Sequence, residues 1–402
     1  MSGRRRPAVL RVAIVGAGTM AQAHSVALRN VASLYPRLAL RVRLVAVADV
    51  DTSLATGLAE RFGYKRVERD WRRVVAADDV DLVIACLPPV LNRDVVLAAA
   101  AAGKHVVCEK PLAESAPVAA EMLAACRTAG VFHGLGVGYR WTPALRAIRE
   151  MIGRGDLGQV RSMRGSFLLD YGADPEVPLL WRFRRSLAGG GPAIDTGYHL
   201  VDCARFLVGE VVAVQAICSR FITERPLPAL GAVGNTGGGA VQPGGGEVGP
   251  VEVEDAAAAL LTFDGGAYGV LETSRVAIGK RVSLQLEVYG SRGSAAWDFE
   301  RPDEFRLCLP SDPATFGFRR VLVNAHHPGA AELLIGGIDG TSIGWLGQEC
   351  AMWAEFLAAI DEGRPAQADL ADGVRANAVI DALYASAASG TRTPVVVPAG
   401  IG

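Results

Sequence analysis

Leu10-Arg-Val-Ala-Ile-Val15-Gly16-Ala-Gly18-Thr19-Met20-Ala21 is an apolar, β-branched run that breaks into a glycine turn and passes straight into an Ala-rich helical pattern. By itself Gly-x-Gly-x-x-Ala is a weak signal, but a strand before it and a helix after it are the context of a dinucleotide-binding turn. The glycines let the main chain approach a pyrophosphate, and the free N–H groups and dipole of the helix N-terminus favour the anion. The next strand reads as Val42 to Ala48 and ends in Asp49. A carboxylate there accepts hydrogen bonds from ribose hydroxyls and repels a 2′-phosphate, so NAD is expected rather than NADP. The stretch Leu34 to Arg41 lengthens the connection beyond the usual spacing.

The alternation continues downstream. Trp71 to Ala76 reads as a short helix, Asp81 to Leu87 as a buried strand and Arg93 to Ala102 as a helix. His105 to Cys108 is a strand, Ala116 to Ala129 a helix and Val131 to Val137 another strand. This rhythm predicts a doubly wound parallel sheet, with ligand at the carboxyl ends of its strands, where Asp49, Pro88 and Glu109-Lys110-Pro111 fall. A Lys held at such a strand end suits stabilisation of a developing alkoxide, with Glu109 expected to orient the ammonium.

A second stretch carries chemistry. Gly189-Gly-Gly191-Pro-Ala-Ile-Asp195-Thr-Gly-Tyr-His199-Leu-Val-Asp202 puts three glycines ahead of Asp195, His199 and Asp202 at i, i+4 and i+7. If a helix starts near Asp195, the three project from one face. The glycines would let main chain pass close to a ligand. A His with carboxylate neighbours is the arrangement a proton-transfer site needs.

Length and composition bound the rest. A chain of 402 residues, half of them apolar, is expected to form two domains. A formal charge of −1 and the lack of a basic tract with interleaved aromatics speak against nucleic acid. No apolar stretch reaches a membrane span, and Arg4 to Arg6 lead into a glycine loop rather than an export signal, so Arg4 to Arg6 read as a frayed end. Seven scattered cysteines with no C-x-x-C pair fit a reducing, cytoplasmic compartment without zinc or disulfides. Adjacent His326 and His327 lack ligating partners at suitable spacing, and no metal is expected.

Beyond Tyr139 the pattern changes to strands: Val160 to Asp170, Val211 to Phe221, Ala257 to Phe263, Gly269 to Ser274 and Ser283 to Gly290. Gly231 to Pro250 is a Gly-rich insertion read as a lid or an arm to a neighbouring subunit. Ala325 to Gly347 is a second irregular segment, and Gln348 to Glu362 and Gly373 to Ser389 read as closing helices. Trp345, Met352, Trp353 and Phe356 read as core.

The order of the glycine turn, Glu109-Lys110-Pro111, Tyr139-Arg140, Trp181-Arg182 and Gly-Gly-Gly-x-x-x-Asp-x-Gly-x-His-x-x-Asp resembles the Gfo/Idh/MocA oxidoreductases over essentially the whole chain. Trp181-Arg182-Phe183, Glu224-Arg-Pro-Leu227, the insert ending in Glu254-Asp255 and Ala325-His-His-Pro328 are most similar to the subgroup of levoglucosan dehydrogenases and other sugar 3-dehydrogenases. Gly138 stands where that subgroup tends to have Asn, Trp141 replaces an Arg, and Pro89 and Asn92 depart from its Asn and His. The resemblance implies a Rossmann domain, residues 1–138, followed by a substrate-binding and oligomerisation α+β domain, residues 139–402, with a large, open, mostly antiparallel sheet. It implies Lys110, Asp195 and His199 as catalytic residues. Contacts to NAD are implied for Gly16, Gly18, Thr19, Met20, Asp49, Leu87, Pro88, Asn92, Glu109, Lys110, Trp181 and Arg182. Substrate contacts are implied for Lys110, Tyr139, Arg140, Tyr171, Asp195, His199 and His326. The expected reaction is NAD-dependent oxidation of a secondary hydroxyl of a pyranose-type sugar, at C3 of an anhydrosugar such as levoglucosan or of a glycoside, or of a cyclitol. A ketosugar or aminosugar reductase or dehydrogenase in natural-product assembly, and NAD-dependent glycoside cleavage, are the alternatives. A homo-oligomer, dimer or tetramer, is expected through the C-terminal sheet, with no nucleic acid or membrane partner.

Overall fold

The computed structural model describes residues 9–228, 243–334, 337–339, 341 and 344–401. Arg4 to Arg6 lie outside them, as do residues 229 and 230, residues 231–242 of the glycine-rich insert and five positions between 335 and 343. The first domain is a six-stranded parallel sheet of β1 (Val9–Val15), β2 (Arg41–Ala48), β3 (Arg66–Glu68), β4 (Leu82–Ala85), β5 (His105–Glu109) and β6 (His133–Gly136). Its order is β3-β2-β1-β4-β5-β6, and the reversal between β1 and β4 opens the crevice in which such sheets bind ligands. Helices α1 (Thr19–Leu34), α2 (Thr52–Phe62), α3 (Trp71–Val75), α4 (Pro89–Ala101) and α5 (Ala116–Ala129) form its crossovers. The interior strands are rich in Val, Ile, Leu and Ala because helices cover both faces: Val12, Ile14, Leu82, Ile84 and Val107 are fully buried.

Two elements here have no counterpart in the sequence reading, α2 and β3. Asp51 starts α2 by accepting the Ser53 and Leu54 N–H groups, and Gly63 ends it in the left-handed conformation. Strand β3 is only three residues long at the sheet edge, too short to show a period. Helix α4 begins at Pro89, four residues before the expected start, with the proline in the first turn where its missing N–H costs nothing.

A short turn, Gly138–Trp141, leads through α6 (Pro143–Gly153) into the second domain. Its strands are β7 (Val160–Leu168), β8 (Val211–Ser219), β9 (Glu224–Pro228), β10 (Pro243–Pro250), β11 (Ala256–Phe263), β12 (Tyr268–Ser274), β13 (Ser283–Gly290), β14 (Ser294–Asp298), β15 (Glu304–Cys308), β16 (Arg319–Leu322) and β17 (Thr393–Pro394). Nine of them form one sheet, β16-β15-β14-β13-β7-β12-β11-β8-β17, antiparallel throughout except for the β7–β12 pair. The last eight residues of the glycine-rich insert are therefore a strand, β10, paired with β9 rather than loop. After short α7 (Arg185–Ala188), which packs against α4, α8 (Pro192–Leu207) lies on this sheet, and α9 (Gly344–Glu362) and α10 (Leu370–Ser389) close the chain. α9 packs on α1 and α10 on α5, so the chain returns to the first domain. Among the expected core residues Met352, Trp353 and Phe356 are fully buried. No described helix is long and apolar enough to cross a membrane.

Candidate active site

The carboxyl ends of the parallel strands, the start of α8 and the second turn of α9 enclose a cavity of about 860 Å³. One arm runs over the glycine turn and the end of β2. Gly16 has φ +96°, and a Cβ on it would lie 2.2 Å from the Cys86 carbonyl oxygen, so only glycine fits between β1 and β4. Helix α1 starts at Thr19 with Gly18 as its cap and no capping side chain, which leaves a positive helix end on the cavity wall. Asp49 closes this arm, its carboxylate accepting the N–H groups of Ala17 at 2.7 Å and Asp51 at 2.9 Å. A carboxylate has further lone pairs for ribose hydroxyls. Gly18, Thr19, Met20, Leu87 and Pro88 line the same wall, so the residues present fit a dinucleotide. Arg69 and Arg72, which the sequence reading passed over, line it beside Asp49.

At the other end Lys110, 85 residues from Asp195 in sequence, donates to Asp195 Oδ1 at 2.8 Å and to its carbonyl oxygen at 3.3 Å. Arg182 Nε lies 3.5 Å from Asp195 Oδ2 and stacks its guanidinium on Trp181. Burial alone would raise the Asp195 carboxyl, but the charges of Lys110 and Arg182 and the Lys110 bond outweigh it and hold Asp195 well below the usual carboxylate range. His199 sits one turn on, its ring 4.8 Å from that of Tyr139 and 5.8 Å from Phe167. Burial, followed by the charge of Lys110, depresses its pKa well below the ordinary value, with Asp195 opposing weakly. The imidazole is thus neutral near pH 7, the form a base requires.

Three local expectations are corrected. Asp195 commits its carboxylate to Lys110 and Arg182, so it influences His199 only through space. Asp202 does not reach the cavity: it forms a bidentate pair with Arg140, which also bonds Asp372 at 2.9 Å. Glu109 orients the Lys110 backbone rather than its ammonium, Oε2 accepting the Lys110 N–H at 3.1 Å and Oε1 bonding His24 Nε2 at 2.9 Å. Behind it, the Trp353 indole donates to His24 Nδ1 at 2.9 Å. Burial opposes a second proton on His24 and the Glu109 bond favours one, with a net rise in pKa, yet the Trp353 N–H occupies the nitrogen that would take it.

The three glycines also serve another purpose than the expected approach to a ligand. A Cβ on Gly190 would strike the Tyr384 hydroxyl at 1.9 Å, and one on Gly191 the Glu254 carbonyl at 2.1 Å. They admit protein atoms that fix the start of α8. Glu254 Oε1 accepts the N–H groups of Gly191 and Ala193 at 3.0 Å each and the Tyr384 hydroxyl at 2.9 Å. It is a helix cap supplied 63 residues away.

Several expected contacts fall elsewhere. Asn92 is fully buried beneath the Glu109–Pro111 turn, its Nδ2 near the carbonyls of Pro111 and Leu112 at 3.3 and 3.4 Å, and does not line the cavity. Arg140 is consumed by its carboxylates. Tyr171 borders a small hollow behind Asp195, shared with Arg275, rather than the main cavity. His326 is exposed, with its N–H on Asn324 Oδ1, because the neighbouring His327 is the one that packs, against Phe305. Trp345, expected in the core, lines the cavity with Gln348 and Glu349. The last two give no signal in sequence, since a polar pair inside an apolar helix is indistinguishable from a solvated face.

A family model described as "Oxidoreductase family, NAD-binding Rossmann fold" matches residues 10–139, and one for the GFO/IDH/MocA C-terminal domain matches residues 145–296. The chain is 37% identical over 381 residues to a levoglucosan dehydrogenase of Pseudarthrobacter phenanthrenivorans, covering 94% of this chain and 96% of the relative. A D-glucoside 3-dehydrogenase of Escherichia coli is 34% identical over 201 residues, about half of each chain at 50% and 54%. The solved structure of a levoglucosan dehydrogenase in complex with NADH and levoglucosan matches with a TM-score of 0.89 at 34% identity, over 96% of this chain and 99% of that one. The chain belongs to the GFO/IDH/MocA family of oxidoreductases and carries its NAD-binding Rossmann domain.

Proposed function

We propose that the protein oxidises a secondary hydroxyl of a pyranose-type sugar, at C3 of an anhydrosugar such as levoglucosan or of a glycoside, to the ketone. The observation that carries this reading is the Lys110–Asp195 pair at 2.8 Å with neutral His199 on the same cavity wall. Support for the sugar comes from relatives named for levoglucosan and D-glucoside oxidation. Bound NAD supplies an acceptor for the hydride of the carbinol carbon. His199 takes the hydroxyl proton, while Lys110 donates a hydrogen bond to the same oxygen and favours the alkoxide that develops. Asp195 and, behind it, Arg182 hold the ammonium in place. Trp181, Tyr139 and Phe167 keep water from the reacting atoms. Carbinol plus NAD⁺ thus gives ketone, NADH and one proton, and the same groups serve ketone reduction when run in reverse.

The test is the growth of reduced-nicotinamide absorbance with NAD and a panel of levoglucosan, free pyranoses, methyl glycosides and inositols, followed by mapping of the oxidised carbon. Absence of NADH across the panel with NAD binding intact overturns the reading, and release of sugar from a glycoside without net NADH selects transient oxidation instead.

We also infer self-association through the outer face of the nine-stranded sheet, where Val212, Ile217, Leu260 and Tyr268 are exposed. Analytical ultracentrifugation of the wild type and of Ile217→Asp tests it, and a monomeric wild type refutes it. The seven free thiols favour a cytoplasmic setting.

A further inference from the structure

We propose that Gln348 and Glu349 form a subsite that reads a sugar hydroxyl other than the one oxidised, the Gln348 amide donating to it and the Glu349 carboxyl pairing with its proton. The inference rests on the sugar-oxidising function proposed above and names a specificity determinant for it. Both residues line the cavity from the second turn of α9, and both are 2% exposed. Gln348 Oε1 accepts the Thr142 hydroxyl at 2.8 Å, which anchors the amide and leaves Nε2 without a partner. Glu349 Oε2 is likewise buried and without a partner. Buried polar atoms in a folded protein are nearly always paired, so two adjacent orphans on a cavity wall mark where a ligand supplies the missing bonds.

Gly138 makes room for the pair itself. A Cβ there would sit 2.3 Å from Glu349 Oε1 and 3.3 Å from Gln348 Nε2. A donor beside an acceptor matches a hydroxyl, which both accepts and donates. The pair stands where the two arms of the cavity meet, with Glu349 within electrostatic reach of Cys86 on the dinucleotide side and of Tyr139, whose ring packs on His199 at 4.8 Å. The closeness of Gly138 and Tyr139 to the pair is the ground for the sugar, and a nicotinamide carboxamide, which offers the same pair of groups, is the other outcome of the test. Burial, reinforced by the neighbouring Glu109 carboxylate, pushes Glu349 up to about 7, so near neutral pH it both accepts and donates.

The experiment compares wild type, Glu349→Met, which keeps the length of the side chain and removes its carboxyl, and Gly138→Ala, which crowds the pair from the other side. Binding of the best sugar and of its singly deoxygenated analogues to the enzyme–NADH complex is measured by calorimetry, and NADH binding alone is measured as the check on folding and on the dinucleotide arm. Wild type is expected to bind one deoxy analogue about tenfold more weakly than the parent, and Glu349→Met, which has no strong acceptor to offer the hydroxyl, to lose that discrimination while NADH affinity is unchanged. Discrimination retained in Glu349→Met overturns the proposal, and so does a tenfold loss of NADH affinity with sugar binding intact, which assigns the pair to the cofactor amide. If the wild type oxidises nothing in the panel, the dehydrogenase reading fails separately. The ternary binding series still decides the subsite, and equal polyol affinities in wild type and variant overturn it.

Discussion

Glu254 makes the sharpest test of how the site is held. Helix α8 carries Asp195 and His199 in its first two turns but begins at Gly191-Pro192 with no capping side chain of its own. Glu254, 5% exposed, satisfies the Gly191 and Ala193 N–H groups and the Tyr384 hydroxyl through a single oxygen. Glu254→Ala strands two buried N–H groups and the half-buried Tyr384 hydroxyl. At about 1–3 kcal/mol for each unsatisfied group, less what entering water recovers, the expected loss is about 2–4 kcal/mol of stability. Glu254→Gln keeps an acceptor of the same shape and loses only the charge facing the helix dipole, about 1–2 kcal/mol. Displacement of the helix start by even an ångström moves Asp195 off Lys110, a misplacement of the kind that costs about a hundredfold in rate. Urea unfolding followed by steady-state kinetics with NAD and sugar checks both parts. Glu254→Ala should fall in kcat by about tenfold to a hundredfold while NAD affinity is kept, and Glu254→Gln should recover most of it. A Glu254→Ala enzyme with wild-type kcat would refute the assignment of Glu254 as the positioning residue for α8.

Other expectations follow from the same geometry. Lys110→Ala and His199→Ala should each lower turnover by about a hundredfold or more with NAD still bound, and near-normal turnover in His199→Ala removes that residue from the role of base. Asp49→Ser should lower kcat/KM for NAD by about tenfold or more and raise the NADP to NAD ratio, because Arg69 and Arg72 share that arm of the cavity; an unchanged ratio contradicts it. Since the His199 pKa is depressed, the base form persists as pH falls through about 6.5, the ordinary histidine value, and kcat/KM for oxidation should stay level there and decline only at lower pH. A decline centred on the ordinary value would show that burial and Lys110 do not govern the imidazole.

Much of this was legible in one dimension because the physics is local. A β-branched run, a glycine that alone tolerates φ +96° and an Ala-rich helix specify the dinucleotide turn wherever they occur together. The period of strands and helices specifies the parallel sheet, and the i, i+4 spacing of Asp195 and His199 puts both on one helix face. That same spacing cannot say what stands opposite each residue. Asp202 belongs to the same face, yet Arg140 takes it into the core, a pairing across 62 residues. The three glycines announced a close approach, but only the fold decided that Tyr384 and Glu254 would be the groups approaching. Gln348 and Glu349 reach the cavity because α9 returns to pack on α1 beside Gly138, a contact made across more than two hundred residues of sequence. Backbone conformation and side-chain period are properties of neighbours along the chain, whereas pairing, burial and access to the cavity are decided by neighbours in space.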